Sequence, residues 1–112
     1  MNTFNWETED FYIDEGRRLF ATIAKRAIVT IDGTDHEYPI TKTVIRDGFF
    51  KHYIEVEDEP VGDITSVILV NENNVPLARG EGLIEKGSKG WQFAFKRFVL
   101  MEEEETANDG IA

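Results

Sequence analysis

Alternation of side chains at every second position, interrupted by turn residues, is the feature that most constrains the fold of this chain. The stretches 49–56 and 91–101 both place bulky residues at the period of a β-strand. Turn sequences such as Asp32-Gly33-Thr34-Asp35, Asp47-Gly48 and Gly87-Ser88-Lys89-Gly90 separate these and similar stretches. The pattern therefore predicts antiparallel strands joined by short turns.

Strands are predicted at 28–31, 38–46, 49–56, 64–70, 75–84 and 91–101. The apolar run at 64–70 indicates a central strand covered on both faces, and Gly80 and Gly82 indicate a bulge or bend in the next strand. With turns every 8 to 12 residues or so, the chain is predicted to be mainly β. We expect an antiparallel β-sandwich or partly open barrel of about seven short strands and one N-terminal helix.

The helix is predicted before the first strand, where Leu19, Phe20, Ile23, Ala24 and Ala27 follow helical spacing and form one apolar face. Asp14 is a suitable N-cap, and a start near Thr8 is the alternative. The predicted organisation is an acidic, aromatic N-terminal arm at 1–13, a domain of helix and β-sandwich at 14–101, and a disordered acidic tail at 102–112.

The formal net charge of −10 is concentrated at the two ends of the chain. Residues 1–16 and 101–112 each carry five acids and no base, whereas the segment between them balances 12 acids with 12 bases. Phosphate binding needs an excess of Lys and Arg, so neither nucleic acid nor an anionic membrane is expected as a partner. The start of the chain lacks a secretory signal pattern, so a cytoplasmic protein is expected.

No motif indicates an enzyme, a cofactor or a metal centre. The chain has no cysteine, and neither Ser66 nor Ser88 lies in a nucleophile-elbow sequence. His36 and His52 lie in different predicted elements and show no metal-ligand spacing. We therefore predict a protein without catalytic, cofactor-binding or metal-binding residues.

Two segments are candidates for binding a partner protein. Phe4, Trp6, Phe11 and Tyr12 are aromatic residues in an acidic region that does not fit the strand pattern, so they are expected to dock on their own domain or on a neighbour. The loop residues Glu57, Asp58 and Glu59 form the second candidate, suited to a basic partner patch.

Two stretches resemble small structural proteins from the tail regions of phages and prophages of Gram-positive bacteria. Residues 12–21 (YIDEGRRLFA) are similar to the opening of tail-collar-like modules, and 64–70 with 75–79 (ITSVILV and VPLAR) are similar to a hairpin in those modules. The resemblance implies a non-enzymatic tail or baseplate protein, located in the cytoplasm of the bacterial host or in a virion. Its partners would be other protein subunits, further copies of this chain among them.

Two other functions fit the residues as well. One is a stand-alone acidic binding module or inhibitor of a host protein, acting through the acidic loop and ends. The other is an oligosaccharide-binding β-sandwich, in which Trp6 or Trp91 would stack on sugar rings. All three hypotheses exclude catalysis.

Overall fold

The computed structural model describes residues 6–101, which form one helix and six strands. These elements are α1 (Asp10–Ile23), β1 (Arg26–Ile31), β2 (Thr34–Arg46), β3 (Phe49–Val56), β4 (Gly62–Val70), β5 (Pro76–Lys86) and β6 (Trp91–Phe98). The prediction of a mainly β fold with one N-terminal helix is confirmed.

All strand pairs are antiparallel, in the order β5-β4-β1-β2-β3-β6. β2 pairs with β1 from Thr34 to Pro39 and with β3 from Ile40 to Arg46, with a register shift between Ile40 and Lys42. This long strand belongs to both halves of the sheet. The sheet has six strands within residues 6–101, whereas about seven were predicted. Within residues 6–101 β5 and β6 do not pair with each other, and the sheet is a partly open, barrel-like structure.

The hydrophobic core lies inside this curved sheet and draws on every strand. Alternation puts the core residues on one face of each strand. The buried core comprises Ala27, Val29, Ile31, Ile54, Val56, Ile64 and Leu69, and the half-buried residues packed against it are Tyr38, Ile40, Val67, Ala78, Ile84, Phe93 and Phe95.

The helix fits the alternative start near Thr8 better than the start at Asp14. It begins at Asp10, after Glu9 in an extended conformation, so the last four residues of the predicted arm are helical. Asp14 is not the N-cap, because it lies inside the helix with its carboxylate 3.0 Å from Nη1 of Arg17. The helix ends at Ile23 because strand pairing takes over, with the Lys25 N–H donating to the Val70 carbonyl at 2.9 Å. No helix within 6–101 has the length and apolarity needed to cross a membrane.

Two local predictions about glycine are confirmed. Asp32 and Gly33 form a two-residue turn with φ of 49° and 79°, a conformation that joins tightly paired antiparallel strands. Beside Gly82 the β4–β5 register shifts, which is the expected bulge. Of the other expectations, those for Phe4 and for the tail at 102–112 lie outside the described residues.

Candidate interaction surfaces

Helix α1 leaves most of its large apolar side chains in solvent. The helix stripe, which we define as Tyr12, Leu19, Phe20 and Ile23, follows the spacing that puts side chains along one side of a helix. Leu19 and Phe20 are 61 % and 56 % exposed. The apolar spacing that predicts a core-facing helix therefore leads instead to a surface.

The barrel-facing side of the helix is small and partly polar. Arg17 and Ala21 are its buried residues, and the helix packs on β2 and β3. The Arg17 guanidinium is held by Asp14 one turn earlier, while its Nε is buried without a hydrogen-bond partner. Because a short Ala and a charged Arg occupy the contact, the bulkier residues of the helix remain in solvent.

The aromatic residues expected to bind a partner lie at the start of this helix. Phe11 and Tyr12 are in the first turn and are 74 % and 64 % exposed, and Trp6 just before the helix is also exposed. Tyr12 belongs to the helix stripe, and Trp6 and Phe11 are exposed aromatic residues outside it. Exposed apolar groups of this size, gathered in one region, are typical of protein–protein contact surfaces.

The acidic loop between β3 and β4 is shaped by hydrogen bonds within the protein. The Asp58 carboxylate accepts the Gly90 N–H at 2.9 Å, and the buried Lys86 ammonium donates to the carbonyls of Asp58 and Pro60 at 2.7 and 2.8 Å. Glu57 and Glu59 are exposed beside them. The Asp58 carboxylate therefore helps to hold the loop through one oxygen, and Glu57 and Glu59 present their carboxylates to solvent.

A groove opens into the core between the free edges of β5 and β6. It has a volume of about 270 Å³, and apolar side chains including Ile54, Ile64 and Phe93 line it. Arg97 lies at its margin with the guanidinium 3.9 Å from the centre of the Phe95 ring. Edge strands with unused backbone groups can accept a further strand, so the groove is a second place where a polypeptide could add to the sheet.

His52 is the buried polar residue that sequence reasoning left as an ordinary strand histidine. It faces the barrel interior from β3, its Nδ1 lies 2.9 Å from the Thr43 hydroxyl, and its Nε2 is buried without a hydrogen-bond partner. Burial lowers the pKa of the imidazole below its usual 6.5. Within 6–101 no group of three His, Asp or Glu side chains could hold a metal ion.

We predict a pH dependence of stability that comes from His52. Its folded pKa is lowered, so below pH 6.5 the unfolded chain takes up a proton more readily than the native protein, and stability falls as the pH drops. We expect His52→Gln to reduce the loss of unfolding free energy between about pH 7.5 and about pH 5.5. Urea denaturation at the two pH values measures this. His36→Gln, on β2, should leave the wild-type loss unchanged, and an equal effect of both variants would contradict the assignment.

Trp91, the candidate sugar-binding residue, lies at the start of the edge strand β6. Trp91 begins β6 and is 43 % exposed, with its ring 6.4 Å from that of Phe93 and tilted by 59°. Of the aromatic residues in β6, Phe93 and Phe95 pack against the core, whereas Trp91 and Phe98 remain exposed. Two of these four aromatic residues are therefore part of the core.

Searches against protein-family models, curated proteins and solved structures find no match for this chain. Function is therefore argued from the surfaces described above.

Proposed function

We propose that this protein is a non-enzymatic structural subunit that acts by protein–protein assembly. The observation that carries the proposal is the helix stripe, which presents Leu19, Phe20 and Ile23 to solvent although the same helix has a barrel to pack against. Burying such side chains is favourable by about 25 cal/mol per Å². A second subunit can supply that burial, and a tail or baseplate of a phage or prophage is the setting that the sequence resemblance implies.

Other features support assembly over the two alternative functions. The inhibitor hypothesis depends on the acidic loop, but Asp58 is committed to Gly90. The sugar-binding hypothesis depends on Trp91, whose exposed ring lies beside a groove with mostly apolar walls, whereas sugars need several polar partners. The exposed stripe and the unpaired edges of β5 and β6 both suit contacts between proteins.

The double variant Leu19→Gln, Ile23→Gln tests the helix stripe. We expect the wild-type protein to form an oligomer in a concentration-dependent way and the variant to have the monomer mass of 12.8 kDa. Both side chains are already exposed and glutamine favours helices, so the free energy of unfolding should change by less than about 1 kcal/mol. Size-exclusion chromatography with light scattering gives the mass, and urea denaturation gives the stability.

Thr22→Gln is the matched control, because Thr22 is exposed on the same helix but lies outside the stripe. It should assemble as the wild type does. A wild-type protein that stays monomeric at every concentration contradicts the proposal, and so does an oligomer that the double variant leaves intact.

A further inference from the structure

The outer face of the half-sheet β2-β3-β6 is strongly basic. Ile54 and Val56 of β3 face the core, so the alternate residues of β3 and their neighbours in register face outward. The outward positions include the bases Lys42, Arg46, Lys51 and Lys96. They also include one acid, Glu55. A chain with a net charge of −10 thus carries a local excess of positive charge on one surface.

Aromatic rings are interleaved with these bases. Phe49 and Phe98 are opposite each other in register and pack edge to face at 6.1 Å, and the Lys96 ammonium lies 4.2 and 5.0 Å from their centres. Further along β3 on the same face, Lys51 and Lys42 lie 5.5 and 6.0 Å from the centre of the Tyr53 ring. We call Lys42, Phe49, Lys51, Tyr53, Lys96 and Phe98 the basic-aromatic face.

The bases of this face are not neutralised by the protein itself. Lys51 and Lys96 are directly opposite in register, an arrangement in which like charges repel. None of the ion pairs within residues 6–101 involves Lys42, Lys51 or Lys96. An anionic partner would relieve this repulsion, and exposed rings beside the ammonium groups would add apolar contact.

The complementary surface lies on the same chain. The acidic-aromatic segment, residues 6–15, contains five acids, three aromatic residues and no base. Asp14 and Glu15 pair with arginines of the helix, but Glu7, Glu9 and Asp10 are exposed and form no ion pair within 6–101. Among residues 6–101 these acids form no ion pair with the lysines of the face, so both sets of charges are available to another copy.

We propose that copies of this protein associate head to tail, with the acidic-aromatic segment of one copy bound to the basic-aromatic face of the next. This inference rests on the proposed assembly function and gives it a direction. Because the two surfaces differ, the contact is heterologous, and repetition builds a ring or an open filament. The helix stripe shares Tyr12 with the acidic-aromatic segment and continues along the same helix. The charges therefore set the orientation of the two copies, and the stripe adds buried apolar area to the contact.

A charge exchange tests the pairing. The face variant Lys51→Glu, Lys96→Glu and the segment variant Glu7→Lys, Glu9→Lys should each lose self-association and have the monomer mass of 12.8 kDa. An equimolar mixture should associate, since the acidic face of the first variant then meets the basic segment of the second. Light scattering after size exclusion measures all three samples, and urea denaturation shows whether each variant is folded.

Lys25→Glu, Lys89→Glu is the matched control, because it makes the same change in net charge at exposed positions away from the face. It should assemble like the wild type, and wild-type assembly should weaken between about 0.05 M and about 0.5 M salt. A face variant that assembles normally, or folded variants whose mixture stays monomeric, overturns the inference. If Leu19→Gln, Ile23→Gln still abolishes assembly in that case, the proposed function survives without it.

Nucleic acid is the other polyanion that a basic face with exposed rings could bind. Titration of the wild type with a fluorescent oligo-dT is therefore part of the same experiment. Binding that is lost in Lys51→Glu, Lys96→Glu and that dissolves the oligomer would overturn the head-to-tail pairing. We expect no binding, because the acidic segment and the net charge repel phosphates.

Discussion

Replacing Gly62 by alanine is expected to lower the free energy of unfolding by about 2–4 kcal/mol, the combined size of a strained backbone residue and a lost hydrogen bond. Gly62 begins β4 with φ of 149°, a conformation that side chains rarely adopt. A Cβ at this position would clash with the carboxylate of Asp32. The Asp32 carboxylate cannot simply move away, because its Oδ1 accepts the Asp63 N–H at 2.8 Å. Urea denaturation of the variant measures the loss.

Two further variants separate the causes of this effect. Gly87→Ala is the matched control, since a Cβ there meets no atom within 4 Å, and its stability should stay within about 0.5 kcal/mol of the wild type. In an Asp32→Gly background the clash is gone, so Gly62→Ala should cost only the backbone strain. An equal cost in both backgrounds would show that the carboxylate contact plays no part.

The sequence predicts what depends on neighbouring residues along the chain. The turn at Asp32 and Gly33 follows from their tolerance of positive φ, and the strands 49–56 and 91–98 follow from their alternation. Alternation does not say which face turns inward. Phe98 lies on the outer face and is exposed, although aromatic residues usually favour the core. Trp91 shares the inward face with Phe93 and Phe95, but it is the first residue of the edge strand β6 and is 43 % exposed.

The surfaces were harder to predict because distant strands build them. Lys42, Lys51 and Lys96 come together only through the β2-β3 and β3-β6 registers, which no local pattern determines. The spacing of apolar residues predicts the helix stripe, but its exposure depends on the packing of Arg17 and Ala21 against the barrel. Spacing of this kind reveals an amphipathic helix without revealing which partner covers it.

Replacing Lys86 is the second change expected to lower the free energy of unfolding strongly. The sequence alone did not predict the structural role of this lysine. Its ammonium is buried at the end of β5 and donates to the carbonyls of Asp58, Pro60 and Gly87 at 2.7, 2.8 and 3.3 Å. Lys86→Met keeps most of the side-chain volume but removes the donor from these carbonyls. We expect a loss of about 2–4 kcal/mol in the free energy of unfolding, since hydrogen bonds to charged groups contribute about 1.5–3 kcal/mol each and do not add fully.

Lys89→Met is the control for this variant, because Lys89 is exposed in the neighbouring turn and should change stability by less than about 0.5 kcal/mol. Amide hydrogen exchange distinguishes a local from a global effect. The Gly90 N–H, which donates to Asp58, should exchange faster in Lys86→Met because the loop that positions this carboxylate has lost its anchor. Unchanged exchange at Gly90 together with wild-type stability would mean that the three carbonyls are satisfied by water, and that the acidic loop keeps its shape without the lysine.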